Sequence, residues 1–97
     1  ERHLLGSQAF VPLSRQAYLV VVAPAGPVPD ASALRCFLCA NGRGVNYARG
    51  TWHHPLLAIG AESDFLVIDR AGSSGGVDCE EHWLRDANVW IPAPPDA

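Results

Sequence analysis

One stretch of the chain decides the fold, and it reads Asn46-Tyr47-Ala48-Arg49-Gly50-Thr51-Trp52-His53-His54-Pro55. It combines an amide, a phenol, a guanidinium, an indole and two imidazoles. A core strand has no use for so many hydrogen-bonding groups, whereas a small-molecule site needs them to orient a polar ligand and move protons near neutral pH. Gly50 permits a sharp turn into a strand. Because side chains alternate along a strand, His53 and His54 face opposite sides, and we predict that His53 faces the interior.

Outward from this stretch, short apolar segments alternate with turn signals. We predict strands at residues 7–12, 18–23, 35–39, 45–47, 52–59 with a break at Pro55, and 65–69. The continuous apolar run at 18–23 predicts a strand buried on both faces. Asp30 is expected to cap one short helical turn through Leu34. Short strands at close spacing, without alternation of strands and helices, predict an all-β barrel or sandwich.

The length of 97 residues allows at most one domain, which we place at residues 1–97. Residues 72–97 are interpreted as loop and tail. In this part, the Gly-rich segment at 72–76 predicts a flexible loop, and residues 78–86 predict a short helix or an extended tail. Prolines at 92, 94 and 95 exclude regular structure beyond it.

Composition excludes several classes of function. The net charge is -3 without a basic cluster, which argues against a nucleic-acid partner. All seven cationic residues are arginines, so Schiff-base chemistry on lysine is excluded. The apolar runs are far shorter than the roughly 20 residues that span a bilayer, so we expect no membrane association. Three cysteines at irregular spacing predict no disulfide framework and a cytoplasmic location.

Two cysteines, Cys36 and Cys39, have the spacing of a redox motif. On a strand, however, positions three apart project to opposite faces, and no helix follows to lower a thiol pKa. We therefore interpret them as two buried small residues.

The segment from Gly50 to His53 matches the second half of a cupin signature, in which a glycine precedes a histidine by three positions. Glu1, His3 and Gln8 stand at the places of the first half. One carboxylate, two imidazoles and an amide oxygen form a set that can hold a divalent metal. The alternative is a metal-free cavity that has kept its shape. Arg35 and Arg49 lie in apolar or aromatic surroundings, and a guanidinium is the natural fork for the carboxylate of an anionic ligand.

Many stretches keep the order and spacing of one enzyme family: Glu1-Arg2-His3, 6–12, 18–23, Leu34-Arg35 with Phe37, Asn41-Gly42, 44–47, Arg49, Trp52-His53-His54-Pro55, 64–66, 68–70, Gly72, and Cys79 with Glu81-His82. In these the chain resembles the ureidoglycolate lyases of allantoin degradation, in the cupin superfamily. The resemblance implies a cupin-type (RmlC-like) β-barrel or double-sheet jelly roll and a cytoplasmic homodimer. It also implies a divalent metal, nickel in some members. Family proteins are longer at the N-terminus, so we expect the first strands of their barrel to be absent from these residues.

The reaction that this resemblance implies is the cleavage of (S)-ureidoglycolate to glyoxylate and urea. A base must take the hydroxyl proton and an acid must protonate the departing urea. The implied roles are His53 as base or metal ligand, Tyr47 or His3 as acid, Glu1 with His3 and His53 as metal ligands, Arg49 or Arg35 on the carboxylate, and Gln8 with Asn46 on the urea end. Two alternatives are a non-catalytic cupin that binds a small carboxylic acid and a hydrolase that releases ammonia from ureidoglycolate.

Overall fold

The computed structural model describes residues 1–72, 78–85 and 87–93. Its strands are β1 (Gln8–Pro12), β2 (Tyr18–Ala23), β3 (Arg35–Cys39), β4 (Val45–Tyr47), β5 (Trp52–His53), β6 (Leu57–Ala58) and β7 (Phe65–Ile68). Asp30 caps a 3-10 turn at Ala31–Ala33 by accepting a hydrogen bond from the Ser32 amide, as predicted. All but the first residue of the predicted flexible loop at 72–76 lies outside the described residues, as do prolines 94 and 95.

The strands form two antiparallel sheets, one in the order β4-β1-β7 and the other in the order β3-β2-β5, with β6 also paired to β2. The all-β prediction is therefore confirmed. Pro55 lacks an amide donor and separates β5 from β6, which the sequence predicted as one interrupted strand. The described residues contain no helix with the length and apolar character needed to span a membrane.

The core lies between the sheets. Tyr18 and Val20 of β2 are buried against Tyr47 of β4, and Val22 packs beside them. In the pairing of β2 with β5, Val22 lies opposite His53. Residues directly opposite in an antiparallel pair share a face, so His53 points to the interior of the sandwich.

Two expectations need correction. Cys36 and Cys39 do project to opposite faces of β3, since they lie opposite Val21 and Tyr18. They are not both buried, because β3 is the outermost strand of its sheet: Cys36 is exposed and Cys39 is half-buried. β2 is not fully buried on both faces, since several of its residues are only half-buried. Of the two alternatives predicted for residues 78–86, the extended one describes residues 78–85, which form no helix and in which Glu80 makes an antiparallel bridge to Arg2.

Candidate functional site

A segment of three residues, Glu1 to His3, is held beside β5. The α-ammonium nitrogen of Glu1 donates to the carbonyl of His53 at 2.9 Å, and the amide of His53 donates to the carbonyl of Glu1 at 2.8 Å. The Gly50 amide donates to the carbonyl of His3 at 2.7 Å. Gly50 has a φ of 85°, the region that glycine adopts at least cost, and it turns the chain into β5 as predicted. On its other side the segment pairs with Glu80 through Arg2.

This docking brings Glu1, His3 and His53 into one cluster. Their possible ligand atoms all lie within 4.8 Å of one another. Oε1 of Glu1 is 3.4 Å from Nε2 of His53 and 3.9 Å from Nε2 of His3. The two imidazole centroids are 5.1 Å apart. The structure therefore places together the three residues that the sequence proposed as metal ligands.

The hydrogen bonds of the two rings fix where their lone pairs point. Nδ1 of His53 is 3.1 Å from the carbonyl of Thr51, and Nδ1 of His3 is 2.6 Å from the carbonyl of Asp78. A carbonyl only accepts, so each Nδ1 carries the proton and each neutral ring has its lone pair on Nε2. Both lone pairs then face the Glu1 carboxylate. This concentration of acceptors is unfavourable until a proton or a cation lies among them.

The Nε2 atom of His53 is also buried without a hydrogen-bond partner among the described residues. The residue as a whole is only 4% exposed. Burial lowers the pKa of His53, so the ring is neutral near neutral pH and its lone pair is available. The amide of Gln8 lies 3.1 Å from Nε2 of His3. Rotation of that amide presents either its NH₂ to the lone pair or its oxygen to a cation.

Tyr47 lies against the same histidine. Its ring stacks on that of His53 with centroids 4.0 Å apart and planes inclined by 9°. Its hydroxyl is buried and has no partner within the described part of the chain. Burial and, to a lesser extent, negative charge on Cys39, Tyr18 and Glu1 raise the pKa of Tyr47 to about 12. The phenol is therefore protonated at neutral pH and is a candidate proton donor.

Two hollows meet at Glu1, His53 and His54. The inner hollow, of about 350 Å³, lies between the sheets and is lined also by Phe10, Tyr47 and Phe65. The outer hollow, of about 410 Å³, is lined also by Arg35, Trp52 and Trp90. Among the described residues, the buried side chains with an unpartnered polar atom are Tyr47 and His53. His53 lines both hollows and Tyr47 lines the inner one, so the inner hollow is the candidate substrate cavity.

The other predicted substrate-binding residues are placed differently. Asn46 is exposed and projects from the face of β4 opposite to that of Tyr47, because neighbouring strand residues alternate. Arg49 is exposed in the turn before Gly50. Neither lines the inner or the outer hollow. Arg35 is exposed on β3 and reaches the outer hollow only.

The sequence interpretation assigned no role to Cys79, which the structure places beside the cluster. Its sulfur is 3.5 Å from Oε2 of Glu1. Burial raises the pKa of the Cys79 thiol, and the nearby Glu1 carboxylate adds to the effect, so the thiol is protonated and donates to the carboxylate. The sequence also contains no indication of Asp78, whose carbonyl accepts from His3. Both residues were missed because contacts between residues this distant in sequence leave no local pattern.

Comparison with known proteins shows the family of this chain. A family model described as ureidoglycolate lyase matches residues 1–91. A ureidoglycolate lyase of Pseudomonas syringae pv. syringae (strain B728a) is 50% identical over 94 residues, which are 97% of this chain and 54% of that protein. One from Burkholderia mallei (strain NCTC 10229) is 54% identical over 90 residues, or 89% of this chain and 52% of that protein. One from Pseudomonas aeruginosa (strain UCBPP-PA14) is 55% identical over 86 residues, or 89% of this chain and 50% of that protein. The chain spans about half the length of the curated relatives it matches.

Proposed function

Because the chain belongs to the ureidoglycolate lyase family, we propose that it carries active-site residues for the cleavage of (S)-ureidoglycolate to glyoxylate and urea. The observation that supports this best is the convergence of two imidazole lone pairs on the Glu1 carboxylate, beside a hollow that also holds the unpartnered hydroxyl of Tyr47. A small polar substrate that exchanges protons would satisfy these groups.

The cluster fits a divalent metal. Imidazole and carboxylate are both ordinary ligands for such ions, and Glu1, His3 and His53 would hold one through the atoms that already face one another. The amide oxygen of Gln8 is the natural fourth donor from this chain. When bound, a divalent ion would supply Lewis-acid polarisation of a substrate oxygen. Nickel, which the resemblance implies for some members, is the first ion to test.

Two protons must move when the carbon–nitrogen bond of ureidoglycolate breaks. The substrate hydroxyl loses its proton as the new carbonyl forms, and the departing urea nitrogen gains one. His53 is our candidate to accept the first, because its Nε2 has no hydrogen-bond partner among the described residues, and the Glu1 carboxylate 3.4 Å away would stabilise the resulting imidazolium. Tyr47 is placed to donate the second from its protonated hydroxyl. Where a cation occupies the cluster, the His53 lone pair is a ligand instead.

The substrate carboxylate needs a cationic or hydrogen-bonding partner. Arg35 is our candidate, because it lines the outer hollow, which meets the inner hollow at Glu1 and His53. The substrate carboxylate would then lie on the outer side of that junction. Arg49 and Asn46 lack this support, since neither lines either hollow.

The remaining expectations from the resemblance also stay proposals: a cupin-type barrel or jelly roll, a role in allantoin degradation, the cytoplasm and a homodimer. For the homodimer, the supporting observation is an apolar edge. Leu66, Val67 and Ile68 of the edge strand β7 are 54%, 44% and 57% exposed. An exposed apolar edge strand of this kind is a ready surface for pairing with another copy.

The experiment measures glyoxylate, urea and ammonia from (S)-ureidoglycolate, with and without chelator. Equimolar glyoxylate and urea without ammonia support the proposal. Ammonia in place of urea would identify the hydrolase, and binding without turnover would identify a non-catalytic cupin. His53→Ala is expected to lower glyoxylate release by about 10²–10⁴ while the circular dichroism spectrum is unchanged. His82→Ala is the matched control, since that exposed imidazole packs against the edge of Trp52 and lines the outer hollow but not the inner one.

A further inference from the structure

We propose that Cys79 is a positioning residue for this site: its thiol holds one oxygen of the Glu1 carboxylate and thereby turns the other toward the two imidazoles. The inference rests on the proposed role of Glu1, His3 and His53, and it adds a residue to which the sequence interpretation assigned no function. Cys79 itself contacts neither substrate nor metal in this proposal and acts only through Glu1.

The register of the chain explains how Cys79 reaches Glu1. Arg2 and Glu80 form an antiparallel bridge with both amide-to-carbonyl bonds made, at 2.9 and 3.0 Å. The Arg2 guanidinium also binds Oε2 of Glu80 through Nε at 3.1 Å and Nη2 at 2.8 Å. Because side chains alternate along extended chains, Arg2 and Glu80 share one face, and Glu1, His3 and Cys79 share the other.

Asp78 completes the same support from the next position. Its backbone carbonyl accepts the hydrogen bond from Nδ1 of His3, and its carboxylate accepts one from the amide of Leu5 at 2.7 Å. Asp78, Cys79 and Glu80 therefore hold His3, Glu1 and Arg2 respectively. Three consecutive residues orient the segment that supplies two of the three ligand side chains.

The two oxygens of Glu1 have different partners. Oε2 lies 3.5 Å from the Cys79 sulfur, whereas Oε1 lies 3.4 Å from Nε2 of His53. The His53 nitrogen is an independent sign that Oε1 faces a ligand position, because the side chain is only 4% exposed and this atom has no hydrogen-bond partner among the described residues. With Oε2 held, the carboxylate cannot rotate freely and Oε1 stays aimed at the cluster.

Loss of a partner behind a metal ligand typically lowers metal affinity about 10- to 100-fold. A thiol is a weak donor, so we expect the lower end of this range for Cys79→Ala. Packing alone would produce a different result, namely a lower melting temperature with unchanged affinity.

The first test is calorimetric titration with nickel chloride. Cys79→Ala is expected to bind nickel about tenfold more weakly than the wild type at an unchanged melting temperature, and Cys79→Ser, which keeps a donor, is expected to recover part of the loss. The control is Cys36→Ala, whose thiol is exposed on β3. Wild-type affinity in Cys79→Ala, or a loss of the same size in Cys36→Ala, would overturn the proposal.

The second test needs no metal. In the double variant Cys36→Ala, Cys39→Ala, Cys79 is the remaining thiol. Its Raman S–H stretching band is expected below the frequency of a free thiol and should rise when Glu1→Ala is added. An unshifted band contradicts the positioning role. If the band of the double variant is shifted but the wild type binds no nickel, the proposed cation is contradicted, whereas the contact between Cys79 and Glu1 is supported.

Discussion

Replacing Tyr47 by phenylalanine removes one oxygen from the interior and leaves the packing in place. The ring stacks on His53 at 4.0 Å and meets the edge of Phe10 at 5.9 Å, and phenylalanine keeps both contacts. The hydroxyl that is lost is buried without a hydrogen-bond partner in the described part of the chain. Stability and activity should therefore change in opposite directions.

The magnitude follows from the cost of burying an unpaired polar group. An unsatisfied buried donor or acceptor costs about 1–3 kcal/mol, so the free energy of unfolding of Tyr47→Phe should rise by an amount in that range or slightly below it. For a domain of this size, each 1 kcal/mol raises the melting temperature by about 4–8 °C. If the hydroxyl protonates the departing urea, glyoxylate release falls by about 10²–10⁴.

Tyr18→Phe is the matched control, because Tyr18 belongs to the same buried cluster but its hydroxyl donates to the carbonyl of Arg43 at 2.5 Å. Removing a satisfied hydrogen bond should lower the free energy of unfolding by about 0.5–1.5 kcal/mol and leave glyoxylate release unchanged. Thermal unfolding by calorimetry and the glyoxylate assay on the wild type and both variants provide the comparison. A Tyr47→Phe protein that is destabilised as much as Tyr18→Phe, or that turns over substrate like the wild type, would refute the reasoning.

Three further predictions concern packing, titration and the cluster. Gly44→Ala should lower the free energy of unfolding by about 1–3 kcal/mol in denaturant melts, because the added Cβ would lie 2.7 Å from a backbone oxygen of β1. Gly26→Ala should leave it unchanged, because the nearest atom to its Cβ would be 3.7 Å away. Tyr18 and Tyr47 both have a pKa of about 12, so absorbance at the tyrosinate band should stay flat through pH 10 in the folded protein. The contribution of these raised pKa values to stability is fully present below pH 10 and is lost as the pH rises toward 12. Glu1→Gln should weaken nickel binding by more than the roughly tenfold expected for loss of an outer partner, and calorimetric affinity equal to that of the wild type would remove Glu1 from the ligand set.

The features of this structure that depend on residues close together in the chain could be predicted from the sequence. Turn signals and β-branched runs predicted the bounds of β2, β3 and β4 as they are observed, and Pro55 marked the break between β5 and β6. Strand alternation predicted that His53 faces the interior, where Val22 lies opposite it. These features depend on neighbours within a few positions, which is the range over which a pattern in the chain is informative.

What could not be predicted depends on the order of the strands. Cys36 is exposed because β3 is an edge strand, and nothing in its local sequence states that position. Arg49 has a guanidinium suited to a carboxylate, yet it is exposed and lines neither hollow. The contact of Cys79 with Glu1 joins positions far apart in sequence, so only the folded chain reveals it.

The cluster is assembled from three separate stretches: one at Glu1–His3, one at His53 and one at Asp78–Glu80. In an unfolded chain these stretches are far apart, so affinity for the proposed metal ion would arise only with the native fold, and a bound ion would in turn stabilise that fold by mass action. The backbone amides of Gly50 and His53 are both protected by the first stretch. If that stretch detaches, both amides exchange with solvent in the same event, so their hydrogen exchange reports how long the cluster of Glu1, His3 and His53 persists between openings.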